Sequence, residues 1–311
     1  MNIQQFQYIL AVAENKHFEI AAEKCHITQS TLSTMISKFE DEIGIKIFDR
    51  KKKPVQLTNE GNIIIEQLKI IVNNIEQLNE ITKEVKGEIS GKITLSVIPT
   101  IAPFLLPLFL QDFAKKFPDL TIIVREETTS EIVRKLKSRD LDIGILSIPI
   151  LDKEIIETKL YDEPFLYYDA NIQNNNNILV EDINRNNLCL MEEGHCMRSQ
   201  ILQLCDFEKT STNSTLNFEY KAGSIDSLLR FVKSNKATTL LPYLATIDFD
   251  ENEKLHLSAF SSPVPHRTIG LVVHRHFVKN KLLNAIQKEI IEKISAKLPQ
   301  MLLNGNQLKP Y

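Results

Sequence analysis

The chain has 311 residues, a formal net charge of −3, 43% hydrophobic and 25% charged residues, and four cysteines. That length exceeds one ordinary domain, and that composition excludes a disordered, fibrous or disulfide-stapled secreted chain. The slightly acidic balance gives no global pull toward nucleic acid, so any such function must rest on a local basic patch and the fold that presents it. The N-terminus MNIQQFQYILAVAENKHF lacks a basic region leading into an apolar core and a small-residue cleavage site, and no membrane-length apolar window occurs. A cytoplasmic protein away from membranes is expected. Thiols stay reduced in that compartment, so a disulfide among Cys25, Cys189, Cys196 and Cys205 would be transient.

From Ile3 to Glu14 the apolar residues Ile3, Phe6, Ile9, Leu10, Val12 and Ala13 recur at helical spacing and predict a first amphipathic helix. FEIAAEKC, Phe18 to Cys25, predicts a second, short helix. After the break His26-Ile27-Thr28, QSTLSTMISKFEDEIG predicts a third, with Thr28 as N-cap and Gly44 as C-cap. Two helices joined by so short a turn suit a helix-turn-helix, whose second helix would offer Thr28, Gln29, Ser30, Thr31 and Ser33 to bases or phosphates. IKIFDRKKKPVQLT then reads as a two-stranded wing whose turn carries Arg50, Lys51, Lys52 and Lys53, cations suited to neutralising phosphate. A solvated charged hairpin is the plainer reading of that run alone.

AAEKCHITQSTLSTMISKFEDEIGIKIFDR followed by LTNEG resembles the winged helix-turn-helix of LysR-type transcriptional regulators. Ser30 departs from the family's usual proline and Phe39 from its usual leucine; a helix tolerates both. Asn59 to Lys86 contains no proline and predicts one long helix ending near Gly87. Ile64, Leu68, Ile71, Ile75, Leu78, Thr82 and Val85 follow one another at alternating four- and three-residue steps, a heptad seam that predicts dimerisation. A two-fold dimer would read a pseudo-palindromic site on double-stranded DNA.

From Lys92 strand-like runs (KITLSVIPT, TIIVREE, DIGILS) alternate with helical ones (IAPFLLPLFLQDFAKKF, SEIVRKLKSR) and predict parallel α/β units. FLYYD, LCLM, NFEYKAG and TTLLP are the strands expected of a second set, before HRTIGLVVHR and the helix LLNAIQKEIIEKI return to the first. This order resembles the LysR-type effector domain, two periplasmic-binding-protein-like subdomains with crossovers near Glu163 to Phe165 and Arg267 to Thr268. The expected fold is an all-α winged helix-turn-helix domain, a long linker helix and an α/β effector domain. The expected bounds are 1–58, 59–88 and 89–311, with subdomain I at about 92–164 and 268–300 and subdomain II at about 165–267. No G-x-x-x-x-G-K-[ST], G-x-G-x-x-G, G-x-S-x-G or H-E-x-x-H occurs, so neither a cofactor nor an enzyme is expected. The run NNNN, Asn174 to Asn177, reads as an exposed loop.

Cys25 and Cys189 lie in apolar sequence and read as packing residues. Cys196 differs: His195 precedes it and Arg198 follows closely, and positive groups near a sulfur favour the thiolate. A buried thiol at a helix start accounts equally well for the same residues. If Met197, Ile201, Leu204 and Phe207 form one helical stripe, Cys205 lies about 13.5 Å along the axis from Cys196 and roughly half a revolution round. A disulfide between them would require that helix to unwind.

MEEGHCMRSQILQLC, with VIPTIAPFLLP, YDEP and HRTIGLV, resembles the hydrogen-peroxide-sensing branch of the LysR-type activators. The resemblance implies Cys196 as the sulfur that meets peroxide, Cys205 as its resolving partner, and Thr100, Thr129, His195, Arg198 and Arg267 as pocket residues. It further implies RNA polymerase as a partner, glutaredoxin or thioredoxin as reductant, and assembly into a dimer and tetramer. Phe260 stands where some relatives carry a further cysteine. The rival readings are a regulator gated by a small metabolite between the subdomains, and a thiol peroxidase that would leave the winged helix without a role. A metal site at Cys196, Cys205 and His195, or at His274 and His276, lacks paired ligand spacing.

Overall fold

A computed structural model of the chain describes residues 1–86, 88–173, 176–205, 222–299 and 306–310. It divides into two compact units, Met1–Lys86 and Gly87–Tyr311. In the first, α1 (Ile3–Asn15) begins at a capping box in which the Asn2 side chain accepts from Gln5 N and the Gln5 side chain accepts from Asn2 N. α2 (Phe18–Lys24) and α3 (Gln29–Ile43) form the helix-turn-helix. Both expected caps of α3 are present: Thr28 Oγ1 accepts from Thr31 N at 3.2 Å, and Gly44 sits at φ 71, where glycine avoids the Cβ strain. The apolar faces meet in a core of Ile9, Val12, Leu32, Ile36, Phe39 and Ile47.

Strands β1 (Phe48–Asp49) and β2 (Gln56–Leu57) pair antiparallel as the wing. Glu40 of α3, almost fully buried, accepts from Ile47 N at 2.8 Å and Phe48 N at 3.2 Å, and so ties the entry to the wing to the recognition helix. Helix α4 (Asn59–Lys86) starts where Thr58 Oγ1 accepts from Gly61 N at 2.8 Å. A Cβ on Gly61 would stand 2.2 Å from Ile47 O, so only glycine permits this close approach. The heptad seam divides along its length. Ile64 and Leu68 pack into this unit's own core, whereas Ile71, Leu78 and Val85 are 39%, 62% and 80% exposed.

The second unit opens with β3 (Gly91–Val97), α5 (Ala102–Lys116), β4 (Leu120–Glu126), α6 (Thr129–Ser138) and β5 (Ile143–Ile148). The α6 start is another capping box, between Thr128 and Glu131. β3 pairs parallel with β4 and β5, as the alternating strand and helix runs predict. Next come β6 (Ile155–Asp169), α7 (Cys196–Leu204), α8 (Ile225–Ser234), β7 (Thr238–Pro242), α9 (Glu251–Lys254), β8 (Leu257–Ala259), β9 (Pro265–His274), α10 (Asn280–Ser295) and β10 (Asn306–Gln307). The sheet order is β4-β3-β5-β9-β6-β7, with β10 on β9 and β8 on β6. It is mixed rather than all-parallel, because β9 returns antiparallel between β5 and β6.

Strand β6 connects two hydrophobic cores. Its first part pairs with β9 from Ile155 to Pro164, and its last residues, from Phe165, pair with β7. One core gathers Leu95, Leu105, Phe109, Ile132, Ile145, Ile269 and Ile290; the other gathers Phe165, Met197, Ile201, Leu228, Leu240 and Leu308. LCLM forms no regular strand, only isolated bridges from Leu188 to Thr238, the first residue of β7, and from Met191 to Ala222. Of NFEYKAG, residues 217–221 lie outside the described residues, as do 174–175 of the asparagine run and Phe207 of the expected stripe. No helix among the described residues is long and apolar enough to cross a membrane.

Replacing Glu40 by Ala strips the acceptor from two backbone N–H groups and should cost about 2 to 4 kcal/mol. The check is the urea midpoint of the first unit's unfolding transition, which falls if the account is right and stays put if Glu40 is only a surface charge.

Candidate functional site

Two places concentrate polar chemistry. In the first unit Thr28, Gln29, Ser30 and Thr31 are exposed at the start of α3, and their hydroxyls interlock, Thr28 Oγ1 lying 3.0 Å from Ser30 Oγ and 2.8 Å from Thr31 Oγ1. Lys51, Lys52 and Lys53 are exposed on the wing; Lys52 Nζ reaches Gln56 Oε1 at 3.0 Å. Arg50 is committed elsewhere. Its guanidinium donates to Ser33 Oγ at 2.8 Å and Ser37 Oγ at 3.0 Å and lies 4.9 Å from the Phe18 ring centroid. Arg50 and Ser33 therefore staple the wing to α3.

In the second unit α7 carries a cysteine at each end. Cys196 is its first residue and 5% exposed; Cys205 is the cap residue behind it, fully buried, with its N–H on Ile201 O at 3.0 Å. Both are thiols. α7 forms here because Met197 and Ile201, one helical turn apart, both face the second core, and His195 in extended conformation delivers the chain into the first turn. The sulfur of Cys196 belongs instead to the first core.

Around it stand residues from distant parts of the chain. Arg267 on β9 is fully buried: Nε donates to Glu163 Oε2 at 2.8 Å, Nη1 to Thr100 Oγ1 at 2.9 Å and Nη2 to Thr100 O at 3.0 Å. Thr129, at the start of α6, buries a hydroxyl without a hydrogen bond of normal geometry, yet near enough to the Cys196 sulfur to favour its thiolate. Burial pushes the Cys196 thiol up, and it outweighs the opposing pull of the Arg267 charge, the Thr129 hydroxyl and the backbone N–H groups of the helix start. The same site is already supplied with groups that favour negative charge on the sulfur.

The fold thus brings Thr100, Thr129, Arg267 and Cys196 together. His195 and Arg198 are adjacent in sequence but have other partners: His195 Nε2 lies 3.8 Å from Glu192 Oε1, and Arg198 Nη1 donates to Met191 O at 3.0 Å. The cation that reaches the sulfur is Arg267. Cys205 lies at the far end of the helix, in the second core. Two residues that sequence reasoning missed complete the surroundings. Glu163 holds Arg267, and Gln200 of α7 donates to Ser147 Oγ at 3.0 Å and Leu308 O at 3.1 Å. The overlooked signal for Gln200 is an amide between the core-facing Met197 and Ile201; for Glu163 it is an acid directly before the apolar run PFLYY.

Residues 3–62 match the bacterial regulatory helix-turn-helix protein model of the lysR family, and residues 86–294 match the LysR substrate binding domain. The chain belongs to the LysR family. It is 32% identical over 275 residues to the hydrogen peroxide-inducible genes activator of Pectobacterium carotovorum, covering 88% of this chain and 90% of that relative. To the DNA-binding transcriptional dual regulator OxyR of Escherichia coli it is 31% identical, covering 88% and 89%. Among solved structures, a full-length OxyR variant from Pseudomonas aeruginosa is similar with a TM-score of 0.72 at 26% identity, covering 94% of this chain and 98% of that one. The reduced form of OxyR gives 0.57 at 26%, covering 68% and 98%. The fold is that of a LysR-family transcription regulator: a winged helix-turn-helix, a long helix and an α/β domain of two periplasmic-binding-protein-like subdomains.

The burial pattern predicts an order of thiol modification. A small alkylating reagent should label the half-buried Cys25 and Cys189 well before Cys196 and Cys205, as peptide mass spectrometry over a time course will register. Early labelling of Cys196 would contradict the packing described.

Proposed function

We propose that this LysR-family chain is a peroxide-sensing transcription regulator, switched by a reversible disulfide between Cys196 and Cys205. In this reading residues 1–58 bind DNA, 59–88 pair two copies and 89–311 sense the oxidant in the cytoplasm. The observation that carries it is a pair of buried thiols at the two ends of one helix, the first beside Thr100, Thr129 and Arg267. The similarity to hydrogen peroxide-inducible genes activators and to OxyR supports the choice of oxidant.

The chemistry runs in two balanced steps. Peroxide entering the pocket restores part of the solvation that burial removed, and the Cys196 thiol ionises toward the charge of Arg267. The thiolate attacks one peroxide oxygen, the O–O bond breaks, and the departing hydroxide takes up the thiol's proton to leave as water, giving a sulfenic acid at Cys196. The Cys205 thiol then attacks that sulfur; the S–S bond forms and a second water leaves. Two electrons have passed from the thiols to peroxide. A dithiol reductant of the glutaredoxin or thioredoxin class returns them.

Geometry makes this a switch. The nine-residue helix α7 separates its ends by about 13 Å, whereas bonded cysteines bring their Cα atoms to about 4.4 to 6.8 Å. Oxidation therefore requires α7 to unwind. Unwinding withdraws Met197 and Ile201 from the second core, at about 1.5 to 3 kcal/mol each, and breaks the Gln200 bonds to Ser147 and Leu308. The covalent bond supplies the driving free energy, so the reduced packing need be preferred only modestly.

On the DNA side, the exposed hydroxyls of Thr28, Gln29's neighbours Ser30 and Thr31, and the amide of Gln29 itself would meet a major groove, with Lys51, Lys52 and Lys53 on the flanking phosphates. Ser33 and Arg50 support that surface through their mutual bond. The exposed Ile71, Leu78 and Val85 of α4 support pairing of two copies, and a dimer of such dimers would span a pseudo-palindromic promoter beside RNA polymerase.

Peroxide should shift the footprint of the native protein on its promoter, while Cys196→Ser keeps the reduced footprint with and without oxidant. A normal peroxide-driven shift in Cys196→Ser would overturn the assignment.

A further inference from the structure

The acid beneath the pocket has no role in the scheme so far. Glu163 and Arg267 are 1% and 0% exposed, and their charged groups meet at 2.8 Å. Burying two charges is expensive unless each is fully partnered, so such a pair bridging β6 and β9 calls for a reason other than stability. Glu163 is well partnered: Oε2 accepts from Arg267 Nε, and Oε1 accepts from Leu244 N at 2.9 Å. Arg267 in turn donates from Nη1 and Nη2 to the hydroxyl and carbonyl of Thr100, and only its Nη1 keeps a hydrogen with no acceptor among the described residues.

A backbone irregularity selects this acid. Lys159 pairs with Gly270 and Tyr161 with Ile269, so Leu160 is an extra residue on β6. In a regular ladder Asp162 would stand opposite Arg267. The bulge shifts the register by one, which brings Glu163 onto the face of Arg267 and sends Asp162 to the opposite face, where it accepts from Thr268 Oγ1 and Lys159 Nζ, each at 2.6 Å. The longer side chain faces the guanidinium, and the shorter one is taken up by other donors.

We propose that Glu163 is a positioning residue for the chemistry at Cys196: it fixes the Arg267 guanidinium against Thr100 and neutralises charge that would otherwise act on the sulfur in full. The proposal rests on the peroxide-sensing reading. Two consequences separate. Charge balance governs how easily the Cys196 thiol ionises, since the Arg267 charge lowers it. Orientation governs whether the spare Nη1 donor and Thr100 Oγ1 point at an oxidant in the pocket. Tyr161, on the same face of β6 and also within the field of Glu163 and Arg267, is held neutral by its own burial and adds no charge.

The test uses the full chain with Glu163→Gln and Glu163→Asp, and follows two rates at Cys196 by mass spectrometry: alkylation by a small reagent across pH, and oxidation by hydrogen peroxide. Glu163→Gln should move the alkylation midpoint to lower pH, because the Arg267 charge is no longer balanced, while slowing peroxide oxidation by about tenfold or more through lost orientation. Glu163→Asp, which keeps the charge at shorter reach, should retain the native alkylation midpoint and still lose peroxide rate. A merely structural acid would move neither midpoint nor the ratio of the two rates. Native alkylation profiles and native peroxide rates in both variants overturn the proposal. If Glu163→Gln fails to fold, Glu163→Asp decides alone, and an undiminished peroxide rate there counts against it. A native protein whose Cys196 ignores peroxide overturns the sensor reading instead, and the alkylation midpoint of Glu163→Gln then decides the charge-balancing role by itself.

Discussion

One rigid helix separates two thiols that the proposed mechanism must join. As long as α7 is wound, Cys196 and Cys205 stand about 13 Å apart along it and in different hydrophobic cores. Everything that holds α7 also opposes the disulfide: Met197 and Ile201 in the second core, and the Gln200 bonds to the end of β5 and to the C-terminal strand segment. Leu308 belongs to the same core as Cys205, and its N–H is bound to His266 O at 2.8 Å, one residue from Arg267. In the proposed mechanism, unwinding α7 would loosen a contact on β9, the strand that carries Arg267. In that mechanism a redox event at one sulfur would be transmitted by loss of packing and hydrogen bonds, without need of a lever.

The surroundings of Cys196 combine two opposing effects. Burial favours the neutral thiol at Cys196, and it also strengthens every charge and hydrogen bond aimed at the sulfur. The buried Glu163 to Arg267 pair suits such a site: it lets the fold keep a guanidinium beside a thiol without leaving a lone cation in the core.

Much of the fold was legible in the sequence, for local reasons. Thr28 and Gly44 mark the ends of α3 because capping depends on residues within one turn, and the strand runs of the first α/β unit carry their periodicity openly. What escaped was set by tertiary contact. The first ten residues of β6 mix charge with apolar side chains because a bulge and a buried acid interrupt the alternation, and LCLM is apolar without being a strand because it fills a core. The heptad seam on α4 is real as a pattern, but its first two positions serve the domain's own core. At the site, His195 and Arg198 flank Cys196 in sequence, and a further cation whose charge acts on the sulfur, Arg267, arrives on β9. Arg267 was indicated only by the family resemblance, and Glu163, the residue that holds it, stood in the resemblance's YDEP motif and at an expected crossover without a role at the site.

The central claim is that peroxide joins the two ends of α7. Reduced protein treated with near-stoichiometric hydrogen peroxide, then alkylated and mapped by peptide mass spectrometry, tests it most directly. A crosslink of Cys196 to Cys205, with Cys25 and Cys189 still alkylated, is the predicted result. Four thiols that remain alkylatable after peroxide would contradict it and turn attention to a metabolite bound between the subdomains.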